Sequence, residues 1–424
     1  MENKKIKVIT LGDMPLGTSG VGNQTRFVIE ALLDSGKFEV FSLGGAITHP
    51  EHKIMTTEKY GNDWKILPVD KFGTKEIVRS ILWREKPDIL WFMTDPRFWG
   101  WLWEMDTEIR QNLPMVYYHV WDNYPYPKYN KKFYESNDVV VSISKLTNDI
   151  VKNVAPDVEL HHIQHAVNTD IFKDLGSEVK KTLRENNKIS VTGENLSDRF
   201  VVLFNSRNAR RKHSGTLIFW FKEFLDKIGH DKATLLMHTE PADPNGPDLE
   251  AIIRDLELES GQVLFSRDKV DETQMAALYN LADTTVNISD AEGFGLSCLE
   301  SLACETPVIV NKTGGLQEQV TDGKNEFGIG LEPSSKMIVG SQLVPYVGED
   351  RISKEEFIGA LEKLYNMSRK ERHKLGKLGR KHVIKNYNFE DFNKSWVDLM
   401  SNIHEHHGSW KNKKNYKSYR IKTL

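Results

Sequence analysis

The sequence predicts an α/β protein with two doubly wound domains. Its 424 residues exceed the usual size of a single domain. Short apolar runs alternate with longer amphipathic segments, as buried parallel strands alternate with helices. The alternation stops in a polar stretch near the middle of the chain and then starts again. We therefore expect two sheets, with ligands binding outside the carboxyl ends of their strands.

Residues 1–185 are predicted to form the first domain. Its predicted strands are Ile6 to Leu11, Asp88 to Phe92, Met115 to Tyr118 and Val139 to Ile143. Between them, Thr25 to Leu33 and Lys145 to Val154 have helical spacing. Residues 186–199 have no sustained apolar periodicity, so we interpret them as a linker.

Residues 200–387 are predicted to form the second domain, because the strand and helix pattern restarts there. Its predicted strands are Phe200 to Asn205, Ala233 to Met237, Val263 to Phe265, Thr284 to Ile288 and Thr306 to Val310. Its predicted helices are Gly215 to Leu225, Leu249 to Leu256, Glu272 to Leu281, Lys354 to Tyr365 and Arg369 to Asn386. We expect a closing helix within 388–407 and a basic tail over 408–424.

Composition excludes several classes of protein. The chain has 57 Lys and Arg against 60 Asp and Glu, a formal charge of -3, which is not the global signature of a nucleic-acid binder. The two cysteines, Cys298 and Cys304, suit neither a disulfide framework nor a zinc site. No run approaches 18 apolar residues. We expect a cytoplasmic protein, and the sequence leaves peripheral attachment to the cytosolic membrane face open.

The C-terminal tail is strongly basic. It holds six basic residues between Lys411 and Lys422, with Tyr416 and Tyr419 interleaved and no acidic residue. Two interpretations remain open: a disordered terminus, or a contact with an anionic surface.

A pair of carboxylates, Glu292 and Glu300, stands eight residues apart around a glycine turn. Gly293 and Gly295 permit a tight turn, and the amides that open the next helix can face an anion or sugar hydroxyls. Carboxylates accept hydrogen bonds from paired sugar hydroxyls. The alternative is a charged helix end on the surface.

A basic loop follows the predicted strand Phe200 to Asn205. It contains Arg207, Arg210, Arg211 and Lys212. Fixed positive charge at a strand end can stabilise a departing phosphate, although four basic residues alone are typical of a solvated loop.

The first domain offers two weaker candidates. After its first strand, the loop with Gly20, Val21 and Gly22 matches neither a Walker A nor a complete GxGxxG motif, and any strand-to-helix crossing can use such glycines. His119 follows a predicted strand, so it is placed at the carboxyl edge of the sheet, although a core histidine is the alternative.

The stretch from Leu278 to Glu318 resembles the nucleotide-sugar site of retaining GT-B glycosyltransferases of the family 4 (group 1) type. The residues that carry the resemblance are Leu278, Tyr279, Ala282, Asp283, Ser289, Glu292, Gly293, Phe294, Gly295, Leu296, Leu299, Glu300, Ala303, Pro307, Val308, Ile309, Gly314, Gly315 and Glu318. The resemblance implies a GT-B fold, in which two Rossmann-like domains face a central cleft.

The same resemblance implies roles for individual residues. Glu292 would contact the donor sugar, Glu300 the ribose, and Arg207 and Lys212 the phosphates. Gly20, Val21 and Gly22 would offer amides to the donor phosphate, and His119 would contact the sugar. The residues implied to bind donor are Gly20, Val21, Gly22, Arg207, Lys212, Glu292, Gly293, Phe294, Gly295, Leu296 and Glu300. Those implied to act in catalysis are Glu292, His119, Arg207 and Lys212.

The chain departs from the family pattern at Glu305, where relatives usually have glycine. A surface substitution is the expected account, with altered access at the cleft edge as the alternative. No Asp-x-Asp motif is present, so we expect no metal and no cofactor.

The function predicted on this basis is metal-independent transfer of a hexosyl or pentosyl group, with retention, from a nucleoside diphosphate sugar to an acceptor hydroxyl. The acceptor would be a glycan, a lipid-linked sugar or, less readily, DNA. Three alternatives remain: a nucleotide-sugar epimerase of the same fold, a DNA-modifying glycosyltransferase, and a non-catalytic nucleotide-sugar-binding module.

Overall fold

The structure, a computed structural model, describes residues 4–416 apart from the side chain of Arg97. The chain divides into two compact units. Within the described residues, unit 1 contains residues 4–166, 340–347 and 389–416, and unit 2 contains residues 167–339 and 348–388.

Sixteen strands are formed by the described residues. They are β1 (Ile6–Asp13), β2 (Phe38–Gly45), β3 (Met55–Thr57), β4 (Gly61–Pro68), β5 (Ile89–Thr94), β6 (Met115–His119), β7 (Val139–Ser142), β8 (Glu159–His162), β9 (Phe200–Asn205), β10 (Ala233–His238), β11 (Val263–Ser266), β12 (Thr284–Asn287), β13 (Val308–Asn311), β14 (Gly328–Leu331), β15 (Ser335–Val339) and β16 (Val347–Arg351).

Fifteen α-helices alternate with these strands in the same part of the chain. They are α1 (Gly20–Asp34), α2 (Lys75–Glu85), α3 (Gly100–Trp103), α4 (Asp106–Arg110), α5 (Lys131–Glu135), α6 (Lys145–Val154), α7 (Ser177–Asn186), α8 (Ser214–Ile228), α9 (Leu249–Asp255), α10 (Glu272–Leu281), α11 (Leu296–Ala303), α12 (Gln317–Val320), α13 (Lys354–Asn366), α14 (Arg369–Asn386) and α15 (Phe389–His407). None of the described helices has the length and apolar character needed to cross a membrane.

Unit 1 is built on an eight-stranded sheet in the order β3-β4-β2-β1-β5-β6-β7-β8. All neighbours are parallel except β3 and β4. The strand order reverses between β1 and β5, and such a reversal opens a crevice at the carboxyl ends of the strands. Helix α1 starts at this crevice, where Ser19 caps it by accepting a hydrogen bond of 2.9 Å from the Gly22 amide.

Unit 2 is built on a six-stranded parallel sheet in the order β11-β10-β9-β12-β13-β14. Its central strands are apolar and buried on both faces, as expected for a parallel sheet covered by helices. The order reverses between β9 and β12, so the loops after these two strands share one crevice. The sequence placed its two strongest motifs in these loops.

The units divide at other positions than the predicted domain boundaries. Unit 2 begins at residue 167, and residues 186–199 pack within it instead of forming a free linker. Arg184 of α7 donates hydrogen bonds to Asp283 (2.8 Å) and to the carbonyl of Leu281 (3.0 Å), and Ile189 and Leu196 are buried. These contacts explain why a polar stretch without apolar periodicity is nonetheless fixed.

Two later segments belong to unit 1. Helix α15 packs there through Trp396, whose ring lies edge-on to Trp91 (5.9 Å) and Tyr118 (4.8 Å). Residues 340–347 also belong to unit 1, where the Tyr129 hydroxyl donates to the carbonyl of Tyr346 (2.6 Å). The helical periodicity of residues 389–407 predicted a helix, but it did not predict that this helix belongs to unit 1.

The first part of the basic tail is ordered on unit 1. The Trp410 indole donates to the carbonyl of Pro87 (2.8 Å), and the Ser409 hydroxyl donates to Asp88 (2.6 Å). The Tyr416 hydroxyl lies 3.3 Å from that of Thr107. The interpretation of this segment as a disordered terminus is therefore wrong for residues 408–416. Residues 417–424 lie outside the described part of the chain.

Candidate functional site

The crevice between β9 and β12 collects the charged motifs of unit 2. Arg207 to Lys212 follow β9, and Glu292 follows β12. Two hydrogen bonds join the loops: the Asp290 amide donates to the carbonyl of Arg211 (2.9 Å), and Arg211 Nη1 donates to the carbonyl of Ala291 (2.5 Å). The two motifs thus form one structure although about 80 residues separate them.

Lys212 and Glu292 form a buried ion pair at the centre of this crevice. Lys212 Nζ donates to Glu292 Oε2, and Arg211 Nη1 lies 3.5 Å from the same oxygen. The side chains of Lys212 and Glu292 are only 11% and 13% exposed. Burial raises the pKa of Glu292, but the charges of Lys212 and Arg211 outweigh it and lower that pKa to about 2. Glu292 is therefore a carboxylate throughout the physiological range.

The glycine turn after Glu292 is fixed by close backbone packing. Gly295 has φ of +89°, which favours glycine, and α11 begins directly after it. The Gly315 amide donates to the carbonyl of Glu292 (3.0 Å). A Cβ on Gly315 would lie 2.8 Å from the Gly293 oxygen, so the two glycine segments need each other. Phe294 is buried and does not line an open surface.

Glu300 lies in α11 and belongs to a different network. The Tyr279 hydroxyl donates to Glu300 Oε2 (2.7 Å), and Asn205 at the end of β9 donates to the Tyr279 oxygen (2.7 Å). Burial raises the pKa of Glu300 to about 7, against a smaller opposite effect of the Tyr279 hydrogen bond. The two glutamates of one motif therefore differ in ionisation.

Arg207 and Arg210 are paired away from Glu292. Arg207 donates to both oxygens of Asp243 (2.6 and 3.2 Å), and Arg210 donates to Glu349. Each arginine side chain is 65% exposed. Lys212 thus contacts Glu292, whereas Arg207 contacts Asp243. The sequence did not indicate Asp243 as the partner of Arg207, because Asp243 follows another strand, β10.

The sequence analysis did not predict a second pair of polar side chains beside Glu292, formed by His213 and Asp290. His213 Nε2 lies 2.6 Å from Asp290 Oδ1, and the Asp290 side chain is 1% exposed. Asp290 lies two residues before Glu292, and His213 directly follows Lys212. This proximity to the two predicted motifs was the signal in the sequence that could have indicated the pair.

The glycine candidates of unit 1 lie at its own crevice. Gly20, Val21 and Gly22 form the first turn of α1, and the Gly22 amide is taken by the Ser19 hydroxyl. Ser19 in turn donates to Asp13 (2.6 Å), a carboxyl whose pKa is raised by burial. A contact between the Gly22 amide and a phosphate would require that cap to open.

His119 is fully buried and both of its ring nitrogens are occupied. Tyr117 donates its hydroxyl to the carbonyl of Thr94 (3.0 Å), so it accepts from His119 Nδ1 (2.9 Å). Tyr134 lies 3.0 Å from Nε2 and donates to it. Burial lowers the pKa of His119 to about 3, so the ring is neutral. The predicted sugar contact would require the ring to give up a tyrosine.

About half of the chain matches a known protein family. Residues 185–382 match the family model "Glycosyl transferases group 1". D-inositol 3-phosphate glycosyltransferase 2 of Catenulispora acidiphila is 45% identical over 56 residues, 13% of each chain. The GDP-mannose-dependent alpha-(1-6)-phosphatidylinositol monomannoside mannosyltransferase of Mycolicibacterium smegmatis is 30% identical over 198 residues, 44% of this chain and 47% of that one. The chain thus spans less than half of the length of either relative.

The fold has close counterparts among solved structures. Sucrose-phosphate synthase from Thermosynechococcus elongatus superposes with a TM-score of 0.74 at 17% identity, over 95% of this chain and 100% of that one. The family match covers the segment that contains the Lys212 and Glu292 pair and the Tyr279 and Glu300 pair. Residues 185–382 are therefore similar to the group 1 glycosyl transferases, and the fold of the chain is GT-B.

Proposed function

We propose that this protein transfers a sugar from a nucleoside diphosphate sugar to an acceptor hydroxyl, with retention of anomeric configuration and without a metal in the reaction. The observation that carries the proposal is the pairing of Lys212 and Arg211 with the Glu292 carboxylate in the crevice between β9 and β12. A crevice at a strand-order reversal is the usual ligand site of such a sheet.

The cations supply what the leaving group needs. A nucleoside diphosphate departs with at least two negative charges, and Lys212 and Arg211 are already held where that charge would develop. Glu292 offsets one of their two positive charges before donor binds. When the phosphates take over the cations, the carboxylate becomes available to accept hydrogen bonds from donor-sugar hydroxyls. We assign no general base.

Glu300 is proposed to hold the ribose. Tyr279 occupies Oε2 of this carboxyl group, which fixes its orientation. A carboxylate can accept from two adjacent hydroxyls, which suits the ribose diol. Arg207 is proposed to reach the donor phosphates by leaving Asp243, and Gly20 and Val21 to offer amides to them.

The names of relatives support the donor class. One relative is called GDP-mannose-dependent, and others are called D-inositol 3-phosphate glycosyltransferases. For this chain we propose a nucleoside diphosphate hexose or pentose as donor, and a glycan or lipid-linked sugar as acceptor. No cofactor is proposed. We place the protein in the cytoplasm, with peripheral membrane contact through residues 408–424 as the further proposal.

Thermal denaturation with UDP-, GDP-, ADP- and TDP-sugars tests the donor. A true donor at about 100 times its Kd would stabilise the folded protein by about 2.7 kcal/mol. The Lys212→Met variant is the matched control, because it keeps the side-chain length and removes the charge. If none of the four nucleotide classes raises the Tm, the donor proposal is wrong.

Product analysis then separates the alternatives. With the donor found and an acceptor panel, we expect free nucleotide and an α-configured product from an α-configured donor, measured by NMR coupling constants. The rate should persist after treatment with a chelator. An epimerised free sugar would identify the epimerase instead, and binding without any turnover would identify a binding module.

A further inference from the structure

A second polar site lies at the opposite end of the six-stranded sheet. There, a cavity of about 470 Å3 opens beside the residues that precede β12 and β13. Asp174, Glu305 and His373 line it, and one potential ligand atom from each lies within 4.8 Å of those of the other two. All three residues belong to unit 2. This cluster has no part in the donor site proposed above.

Glu305 is the unusual member of the cluster. It has φ of +60°, a left-handed conformation that favours glycine and disfavours a residue with a Cβ. Its side chain is only 12% exposed, so the expectation of a surface substitution is wrong. Its Oε2 atom is buried and accepts no hydrogen bond. A carboxylate oxygen in that environment requires a positive partner.

The neighbouring atoms have the spacing of metal ligands. His373 Nδ1 lies 3.4 Å from Glu305 Oε2 but does not make a hydrogen bond with it. In a tetrahedral site with bonds of about 2.1 Å, two ligand atoms are separated by about 3.4 Å. Asp174 Oδ1 is held by Lys180 Nζ at 2.6 Å, and a bound cation would share this oxygen with the lysine or displace it.

We propose that Asp174, Glu305 and His373 bind a divalent cation, with Zn²⁺ as the best match. One imidazole nitrogen and two carboxylate oxygens are zinc ligands, and water would complete a tetrahedron. The cation would join the segment before α7, the loop between α11 and β13, and helix α14. His373 is 39% exposed and the cavity is open, which gives the ion a path of entry.

Zn²⁺ titration of chelator-treated, full-length protein tests the site. Calorimetry should find a single tight equivalent, and Co²⁺ should give the intense visible bands of a tetrahedral site. At a free Zn²⁺ concentration about 100 times Kd, the Tm should rise by about 5 °C. Glu305→Gly and His373→Leu should each weaken binding by at least about tenfold.

Two features make the outcome decisive. Glu305→Gly removes the left-handed strain, so this variant should fold at least as well as the parent and any lost Zn²⁺ response reports the missing ligand. His230→Leu is the control for adventitious surface binding, because His230 pairs with Asp226 on the exposed face of unit 2. The proposal is overturned if no stoichiometric binding occurs, or if Glu305→Gly and His373→Leu bind Zn²⁺ as tightly as the parent. Loss of binding in His230→Leu would identify an adventitious surface site and would also overturn it.

Discussion

The carboxyl edge of the eight-stranded sheet carries a neutral network, whereas that of the six-stranded sheet carries an ionic one. In unit 1, His119 lies between two tyrosine hydroxyls, and burial holds it uncharged. In unit 2, Glu292 is similarly shielded from water but lies against Lys212 and Arg211, which hold it ionised. The loops with Lys212 and Glu292 flank the strand-order reversal of unit 2, whereas His119 ends β6, one strand away from the reversal between β1 and β5.

Topology determines where a ligand site lies, and the neighbouring side chains determine its charge. The strand-order reversal sets where a ligand can enter, and it does so in both units. The partners set the charge: burial alone removes it from His119, and burial beside two cations preserves it on Glu292. The chemistry of a charged leaving group is therefore assigned to unit 2.

Removing the cation of the ionic edge should have the largest effect. For Lys212→Met we expect kcat/KM to fall by about 10³-fold, or ~4 kcal/mol, because a fixed positive charge is lost where phosphate charge develops. The free energy of unfolding should also fall by about 3 kcal/mol, since Glu292 loses its nearest partner in a largely buried position. Steady-state kinetics and urea denaturation measure the two quantities.

The control is the double variant Lys212→Met with Glu292→Gln. It removes the uncompensated carboxylate, so stability should recover while activity stays low. An active Lys212→Met enzyme would show that the ionic edge does not serve catalysis.

The free energy of unfolding should decrease at acid pH because of His119. His119 has a pKa of about 3 in the folded protein against 6.5 ordinarily, so below pH 6.5 the unfolded chain binds a proton that the folded state refuses. The stability contributed by neutral His119 is complete above pH 6.5 and is lost as the pH falls toward 3, by up to about 1.4 kcal/mol per pH unit. His119→Phe should flatten that dependence in urea titrations at pH 4.5 to 7.

Sequence reasoning predicted nine of the sixteen described strands and missed β2, β3, β4, β8, β14, β15 and β16. Phe200–Asn205 and Glu272–Leu281 have the bounds that apolar periodicity predicted, because strand and helix periods are local properties. Lys212 and Glu292 were predicted as site residues, and they meet because β9 and β12 are neighbouring parallel strands whose carboxyl-end loops lie side by side.

Other features of the structure could not be predicted from local sequence patterns. The Asp243 partner of Arg207 follows a different strand, and the burial of His119 depends on Tyr134, which lies in α5. Residues 340–347 belong to unit 1 although unit 2 flanks them on both sides. Each is a long-range packing outcome, which a periodicity of 2.0 or 3.6 residues does not encode.

Glu300 should give unit 2 a pH response of opposite sign to that of His119. Its pKa is raised from 4.5 to about 7 in the folded state, so the folded protein binds the proton more tightly than the unfolded chain does. Stability should therefore fall as the pH rises from 4.5 to 7, by up to about 1.4 kcal/mol per pH unit, and level off above. Glu300→Gln should remove this slope in the same urea titrations.

The same group should control donor affinity. If ribose hydroxyls donate to ionised Glu300, donor Kd should increase by up to about tenfold per pH unit below 7, and isothermal titration at pH 6 and 8 measures it. Glu300→Gln should bind weakly at both values. A parent protein with the same Kd at pH 6 and pH 8 would contradict the ribose assignment.

Arg207→Met should have the smallest effect of these variants. It tests whether the cations of the basic loop in unit 2 have different roles. The Arg207 pair with Asp243 is mostly exposed on the arginine side, so its loss should cost less than about 1 kcal/mol of stability. If Arg207 leaves Asp243 to contact phosphate, KM for the donor should rise by about tenfold at moderate salt, with a smaller change in kcat. Arg210→Met, at an equally exposed arginine paired with Glu349, is the matched control and should leave KM unchanged. Equal effects of the two variants would mean that Arg207 and Arg210 act through their charge alone, and the specific phosphate contacts would then belong to Lys212 and Arg211.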